Sequence, residues 1–162
     1  MEQEKKKVRI TDRKIALQKA GSYCAYQERC QQEVRDKLYS FGLWPEAVEE
    51  IIAKLINDNF INEERFAKVF AGGKFRIKKW GKVKIRLELK KRNISAYCIR
   101  SAMNEIPEKD YLITLKELIT IKKEKLSAKK IKGRYAAAVR EQMIIQYCIS
   151  RGFEADLVRD LL

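Results

Sequence analysis

Cys24, Cys30, Cys98 and Cys148 are the strongest nucleophiles in this chain of 162 residues, and their scatter argues against every chemistry cysteine supports. No two stand at the CxxC spacing of a zinc or redox pair, and Cys98 and Cys148 fall on or beside apolar stripes. Each reads as a buried thiol that packs like a small hydrophobe. Histidine is absent, which removes the commonest zinc ligand and general base, and with it any Cys-His or Ser-His arrangement. Gly72-Gly73-Lys74 approaches a phosphate loop, but Phe75 replaces the Ser or Thr such a loop needs and Lys68 stands in place of its first glycine. Glu46, Glu49, Glu50, Asp58, Glu63 and Glu64 occupy helix starts and solvent-facing positions, where carboxylates serve capping and solubility. The residues therefore predict no catalytic centre, no cofactor site and no metal site.

What remains is charge, and it is concentrated. The formal balance is +14. Between positions 74 and 92, Lys74, Arg76, Lys78, Lys79, Lys82, Lys84, Arg86, Lys90, Lys91 and Arg92 face the single acid Glu88. A second cluster runs from Lys122 to Arg134 against Glu124, and a third comprises Lys5, Lys6, Lys7, Arg9, Arg13, Lys14 and Lys19. Such concentrations attract polyanions through counterion release, with affinity that falls as salt rises. Phe75, Ile77 and Trp80 interleave with the densest cluster. Interleaved aromatics fit either bases stacking on exposed rings or core packing. Phe75 continues the face of Phe66 and Phe70 at helical spacing and belongs to the core, whereas Trp80 at a helix end suits both roles.

The elements that carry these residues follow from an internal repeat. When Gly42, Asn93 and Gly152 are superposed, Val34, Ile85 and Ile144 coincide, as do Leu38, Leu89 and Cys148, then Leu43, Ile94 and Phe153, then Val48, Ile99 and Val158. Apolar gaps of three and four on either side put these residues on single helical faces. Gly or Asn between two such stripes suits a left-handed C′ position. Pro45 fits a first helical position and Ser95 an N-cap. The remainder of each unit has room for one more helix: about Asp12 to Tyr26, from Asn62 as N-cap through Phe66 and Phe70, and from Pro107 through Tyr111 and Leu115. The expected fold is all-α, with three tandem three-helix repeats in an elongated, curved stack: a basic disordered tail over 1–10, then repeats over 11–57, 58–106 and 107–162, the last with a basic loop near 127–135. No apolar run approaches the length of a membrane span, so a soluble, cytoplasmic protein is expected.

Phe60-Ile61-Asn62-Glu63-Glu64-Arg65-Phe66-Ala67, Trp80-Gly81, and Ile85-Arg86-Leu87-Glu88-Leu89 leading to Arg92-Asn93-Ile94-Ser95 resemble the middle repeat of the RecX family, regulators of the bacterial RecA recombinase. Arg29, Glu33, Val34, Lys37, Leu38 and the Phe41-Gly42-Leu43 turn resemble that family's first repeat, and Arg151-Gly152-Phe153 with Leu157 and Val158 its C-terminal one. Four positions depart from the family pattern: Cys30 replaces a capping Ser, Glu63 an Asp, Lys82 a frequent Pro, and Asn93 a turn Gly. The resemblance implies a non-enzymatic monomer that lies along the groove of a RecA-DNA filament, bridges successive protomers, and hinders ATP hydrolysis and strand exchange in recombination and DNA repair. The other reading of the same residues is a plain helical-repeat binder of single-stranded or duplex DNA, acting by competition for the lattice. The expected binding face comprises the ten basic residues between 74 and 92 together with Arg134, Arg140 and Arg151. Charge reversal at Lys78, Lys79 and Lys82 is expected to weaken filament binding without loss of helicity, checked by co-sedimentation with the filament alongside circular dichroism.

Overall fold

The computed structural model describes residues 9–162, and among these the chain forms nine α-helices and no strand. The expected tail over 1–10 falls largely outside the described residues; of its last two positions, Ile10 donates its N–H to the Phe41 carbonyl at 2.9 Å. Helices α1 (Arg13–Tyr26), α2 (Gln31–Ser40) and α3 (Pro45–Asn57) pack together as a first triplet. A second triplet joins α4 (Glu63–Lys78), α5 (Lys82–Lys91) and α6 (Ala96–Met103), and a third α7 (Glu108–Ser127), α8 (Ala136–Ser150) and α9 (Ala155–Asp160).

Local chemistry sets these boundaries. The Asp12 carboxylate accepts from the N–H groups of Lys14 and Ile15 at the start of α1, Asn62 accepts from Arg65 at the start of α4, and the Ser95 hydroxyl accepts from Cys98 at the start of α6. Pro45 occupies the first turn of α3, where its missing N–H costs nothing. The repeat turns lie in left-handed space, with φ of 88° at Gly42, 57° at Asn93 and 94° at Gly152. At the last two, paired bonds close the helix end: Ile94 N–H to Leu89 C=O with Asn93 to Lys90, and Phe153 to Cys148 with Gly152 to Ile149. This is the Schellman arrangement, and Asn93 tolerates it because its short polar side chain accommodates positive φ. The superposed apolar positions are all buried, from Val34, Ile85 and Ile144 through Val48, Ile99 and Val158.

Two apolar cores result. One lies within the first triplet, centred on Leu38, Val48, Ile52 and Leu55. The other is shared by the second and third triplets, where Tyr111 of α7 stacks on Phe153 at 4.9 Å between ring centroids and lies 5.9 Å from Phe75 of α4. Cys30 alone crosses from the first triplet into the larger core, and Ile61 joins the smaller one from the α3–α4 turn. The Arg65 guanidinium holds that crossing point, bonding Glu28 of the α1–α2 connection and the Asn59 and Phe60 carbonyls. The chain exposes 11114 Å² for its 19.0 kDa. A compact monomer of that mass exposes roughly 8,400 Å², so the stack is extended.

Where the second and third triplets meet, backbone touches backbone. The N–H groups of Gly81 and Val83, at the start of α5, donate to the carbonyls of Arg151 and Gly152 past the end of α8 at 2.8 and 3.0 Å. Between them the Lys82 N–H donates to the Tyr111 hydroxyl, which itself donates to Glu154. Gly81 has no side chain with which to cap α5, so the neighbouring triplet supplies the acceptors its first turn needs. A Cβ on Gly81 would stand 2.2 Å from the Gly152 backbone. Gly81→Ala is therefore expected to cost about 3 kcal/mol by forcing the triplets apart. Gly73→Ala, where a Cβ meets nothing within 4 Å, is expected to gain about 0.5–1 kcal/mol. Urea unfolding of both variants checks the pair.

Candidate functional site

Residues 72–74 lie inside α4, so Gly72-Gly73-Lys74 forms no phosphate-cradling loop. All four cysteines are free and buried. Burial pushes the Cys24 thiol up to about 11 and raises those of Cys30, Cys98 and Cys148, so none is a poised thiolate. Among the described residues no three His, Cys, Asp or Glu side chains gather in a way that could hold a metal ion. No described helix is long and apolar enough to cross a membrane. Five of the six carboxylates singled out are occupied structurally: Glu49 pairs with Arg35, Glu50 with Arg13 and Asp58 with Lys54, while Glu63 and Glu64 accept from Ser95 and Ser101.

The basic residues of α4 and α5 sort into groups that the linear cluster conceals. Phe70 and Lys74 stand one turn apart on α4, and the Lys74 ammonium lies 5.3 Å from the Phe70 ring centroid and 5.1 Å from that of Trp80. Lys84, on α5, reaches Trp80 from 4.6 Å and approaches the Ser150 carbonyl at 3.5 Å. Arg92, at the end of α5, covers Phe70 from 4.9 Å. On α8 the Tyr147 ring lies 4.8 Å from the Lys122 ammonium and 5.6 Å from the Arg151 guanidinium, which donates to the Lys78 carbonyl. These contacts form one strip, from Arg92 through Phe70, Lys74, Trp80 and Lys84 to Arg151, Tyr147 and Lys122. It crosses the junction of the second and third triplets.

Trp80 is half-buried: it packs against the shared core, and its ring carries two cations. Phe75 is buried, as its spacing requires. Lys82 and Arg86 point to the other flank of α5. The Lys82 ammonium lies 4.7 Å from the Tyr111 ring and 3.4 Å from Glu108, and the Arg86 charge acts on Tyr111, whose hydroxyl is nonetheless pushed well up by burial and by Glu154. Lys90 and Lys91 are exposed at the end of α5, and Lys91 joins Arg92 in holding Glu88 below the usual carboxylate range. Arg76 folds back over Gly72, and Lys78 and Lys79 are exposed at the end of α4, Lys79 with a left-handed φ of 54°. Arg134 covers Tyr135 and Arg140 donates to the Ile131 carbonyl, so neither is tied into the strip. Tyr147 and Lys122 belong to the strip but were not among the expected site residues. A partial signal was present: Tyr147 precedes Arg151 by one helical turn.

Each departure from the family pattern has a local substitute. The Glu33 carboxylate accepts from the Cys30 N–H and caps α2 from its third residue. Asn93 adopts the glycine conformation, and Glu63 still reaches Ser95. Lys82 provides an N–H, which proline lacks, to the Tyr111 hydroxyl.

Comparison with known proteins gives the same organisation. Residues 16–55 match the RecX first three-helix domain and residues 62–103 the RecX second three-helix domain. The chain is 32% identical over 97 residues to regulatory protein RecX of Lactobacillus johnsonii, covering 60% of this chain and 36% of that protein. It is 26% identical over 144 residues to the Bacillus cytotoxicus protein of that name, covering 89% of this chain and 51% of the relative. It thus spans about half or less of the length of these curated relatives. The crystal structure of RecX from Lactobacillus salivarius superposes with a TM-score of 0.77 at 23% identity, over 92% of this chain and 93% of that one. A second RecX crystal structure gives 0.80 at 20% identity, over 92% and 70%. At these identities the likeness establishes the fold.

With thiols this inert, a disulfide reagent at pH 8 is expected to leave the native protein almost unmodified and to titrate four thiols once guanidinium unfolds it. Rapid reaction of Cys24 in the native state would contradict its placement.

Proposed function

The chain belongs to the RecX family of regulatory proteins, and on that premise we propose that it regulates the RecA recombinase without catalysing a reaction, by lying along the RecA-DNA filament and restraining its ATP hydrolysis and strand exchange. The observation that carries this reading is the strip from Arg92 to Lys122, a set of cations mounted on aromatic rings across two docked triplets. An extended stack with such a face suits a repetitive polyanionic lattice, because many modest contacts spread over several protomers sum to a stable complex. The start of α3 suits direct groove reading less well: Trp44 and Pro45 lead into Glu46, and an acidic first turn repels phosphate.

The test is the single-strand-dependent ATPase of RecA, titrated with this protein at well below one copy per RecA. Substoichiometric inhibition that a modest excess of free DNA relieves only in part is expected, because the filament engages many contacts at once and a bare strand only those of the strip. Inhibition abolished by added DNA would instead assign the effect to competition for the lattice by a plain DNA-binding protein. The double reversal Lys74→Glu with Lys84→Glu is expected to raise the concentration needed for half-inhibition at least tenfold, while reversal of Lys116 on the outer face of α7 leaves it unchanged.

A further inference from the structure

The strip differs from an ordinary basic surface in how its charges are held. Lys74, Lys84, Lys122 and Arg151 make no ion pair among the described residues, and each rests against a ring. A cation over a ring is attracted to the aromatic face, yet keeps N–H donors directed away from it. Its rotamer is also restricted before any ligand arrives, which lowers the ordering cost of binding an anion. Both the Lys74 and Lys84 ammonium groups lie about 5 Å from the Trp80 centroid, so they are separated by no more than about 10 Å. The cations on Tyr147 are related in the same way.

The rings themselves are taken. Phe70, Trp80 and Tyr147 each carry two cations, so a base could stack on them only by displacing one. That separates the strip from single-strand binding surfaces in which aromatic platforms receive the bases. Three of the five cations of the strip are lysine, a residue depleted at protein–protein interfaces, which disfavours a partner that is protein alone. We propose that the strip is a track for the sugar-phosphate backbone of one nucleic-acid strand, engaged through its phosphates and indifferent to its bases. The proposal rests on the reading that this face meets the DNA-containing filament, and names what the face grips there.

The test omits RecA, so its failure and that of the filament reading are separable: the ATPase assay judges the latter. Binding of a fluorescein-labelled oligothymidylate is measured against salt, beside an abasic deoxyribose-phosphate strand of equal length and poly-glutamate of equal charge. Four engaged cations predict a slope of log K on log salt near −3, since each phosphate neutralised on a single strand contributes about −0.7. The Lys74→Ala, Lys84→Ala double variant should reduce the slope by about 1.4 while its circular dichroism stays at the parental value and its urea midpoint falls only slightly, through the lost ring contacts. The abasic strand should bind within about twofold of oligothymidylate, and in a Trp44→Phe background, where Trp80 is the sole indole, both should change its emission. A slope unchanged in the double variant would overturn the track. So would a tenfold or greater loss on the abasic strand, which would mean stacking, or tighter binding of poly-glutamate than of either strand, which would mean a protein ligand.

Discussion

Gly81 and Gly152 meet with no side chain between them, and the rest of the molecule beyond its first triplet depends on that contact. A helix start leaves several N–H groups without intrahelical partners, and a helix end leaves as many carbonyls. Here the start of α5 and the end of α8 answer each other, with Gly81 and Val83 donating to Arg151 and Gly152. Tyr111 closes the remaining gap by accepting from Lys82 and donating to Glu154. The consequences reach the core, where Tyr111 stacks on Phe153, and the surface, where docking brings Lys84 to Ser150 and Arg151 to Lys78. Without this junction the cations on Trp80 and those on Tyr147 would belong to separate surfaces.

The first triplet stands in a different relation to the whole. Its core is its own apart from Ile61 of the α3–α4 turn, and α2 is capped within the triplet by Glu33 where α5 relies on a neighbour. The link to the second triplet is polar and narrow, built on Arg65, Glu28 and the Asn59 turn, with Cys30 the single crossing into the larger core. One repeat motif has thus been joined to its successors in two ways, by a glycine-to-glycine backbone contact on one side and by a side-chain latch on the other.

Much of the fold was legible because the repeat writes its geometry locally. Gly42, Asn93 and Gly152 mark left-handed turns, and the residues that superpose around them are the buried ones. The caps Asp12, Asn62 and Ser95 are local signals of the same kind. The site was legible as charge and much less as arrangement. Nothing in the run Lys82-Val83-Lys84-Ile85-Arg86 says which flank of α5 faces α7, so the separation of Lys82 and Arg86 from Lys84 becomes visible only after docking. Lys122 and Tyr147 meet across a helical hairpin, 25 positions apart in sequence, for which no periodicity gives a clue. The role of Gly81 was hidden for a similar reason, since its partner lies in another repeat.

The regulatory reading and the architecture join at one claim: the face that meets the filament is the one assembled by docking the second and third triplets. The most direct measurement is the amide-exchange footprint of this protein with and without a RecA filament on single-stranded DNA, held by a non-hydrolysable nucleotide. New protection is expected in segments carrying Phe70 to Arg92 and Tyr147 to Gly152, with the exposed start of α3 at Trp44 and Pro45 unaffected. Protection confined to that start, or to α6 around Tyr97, with the strip still exchanging as in the free protein, would contradict it.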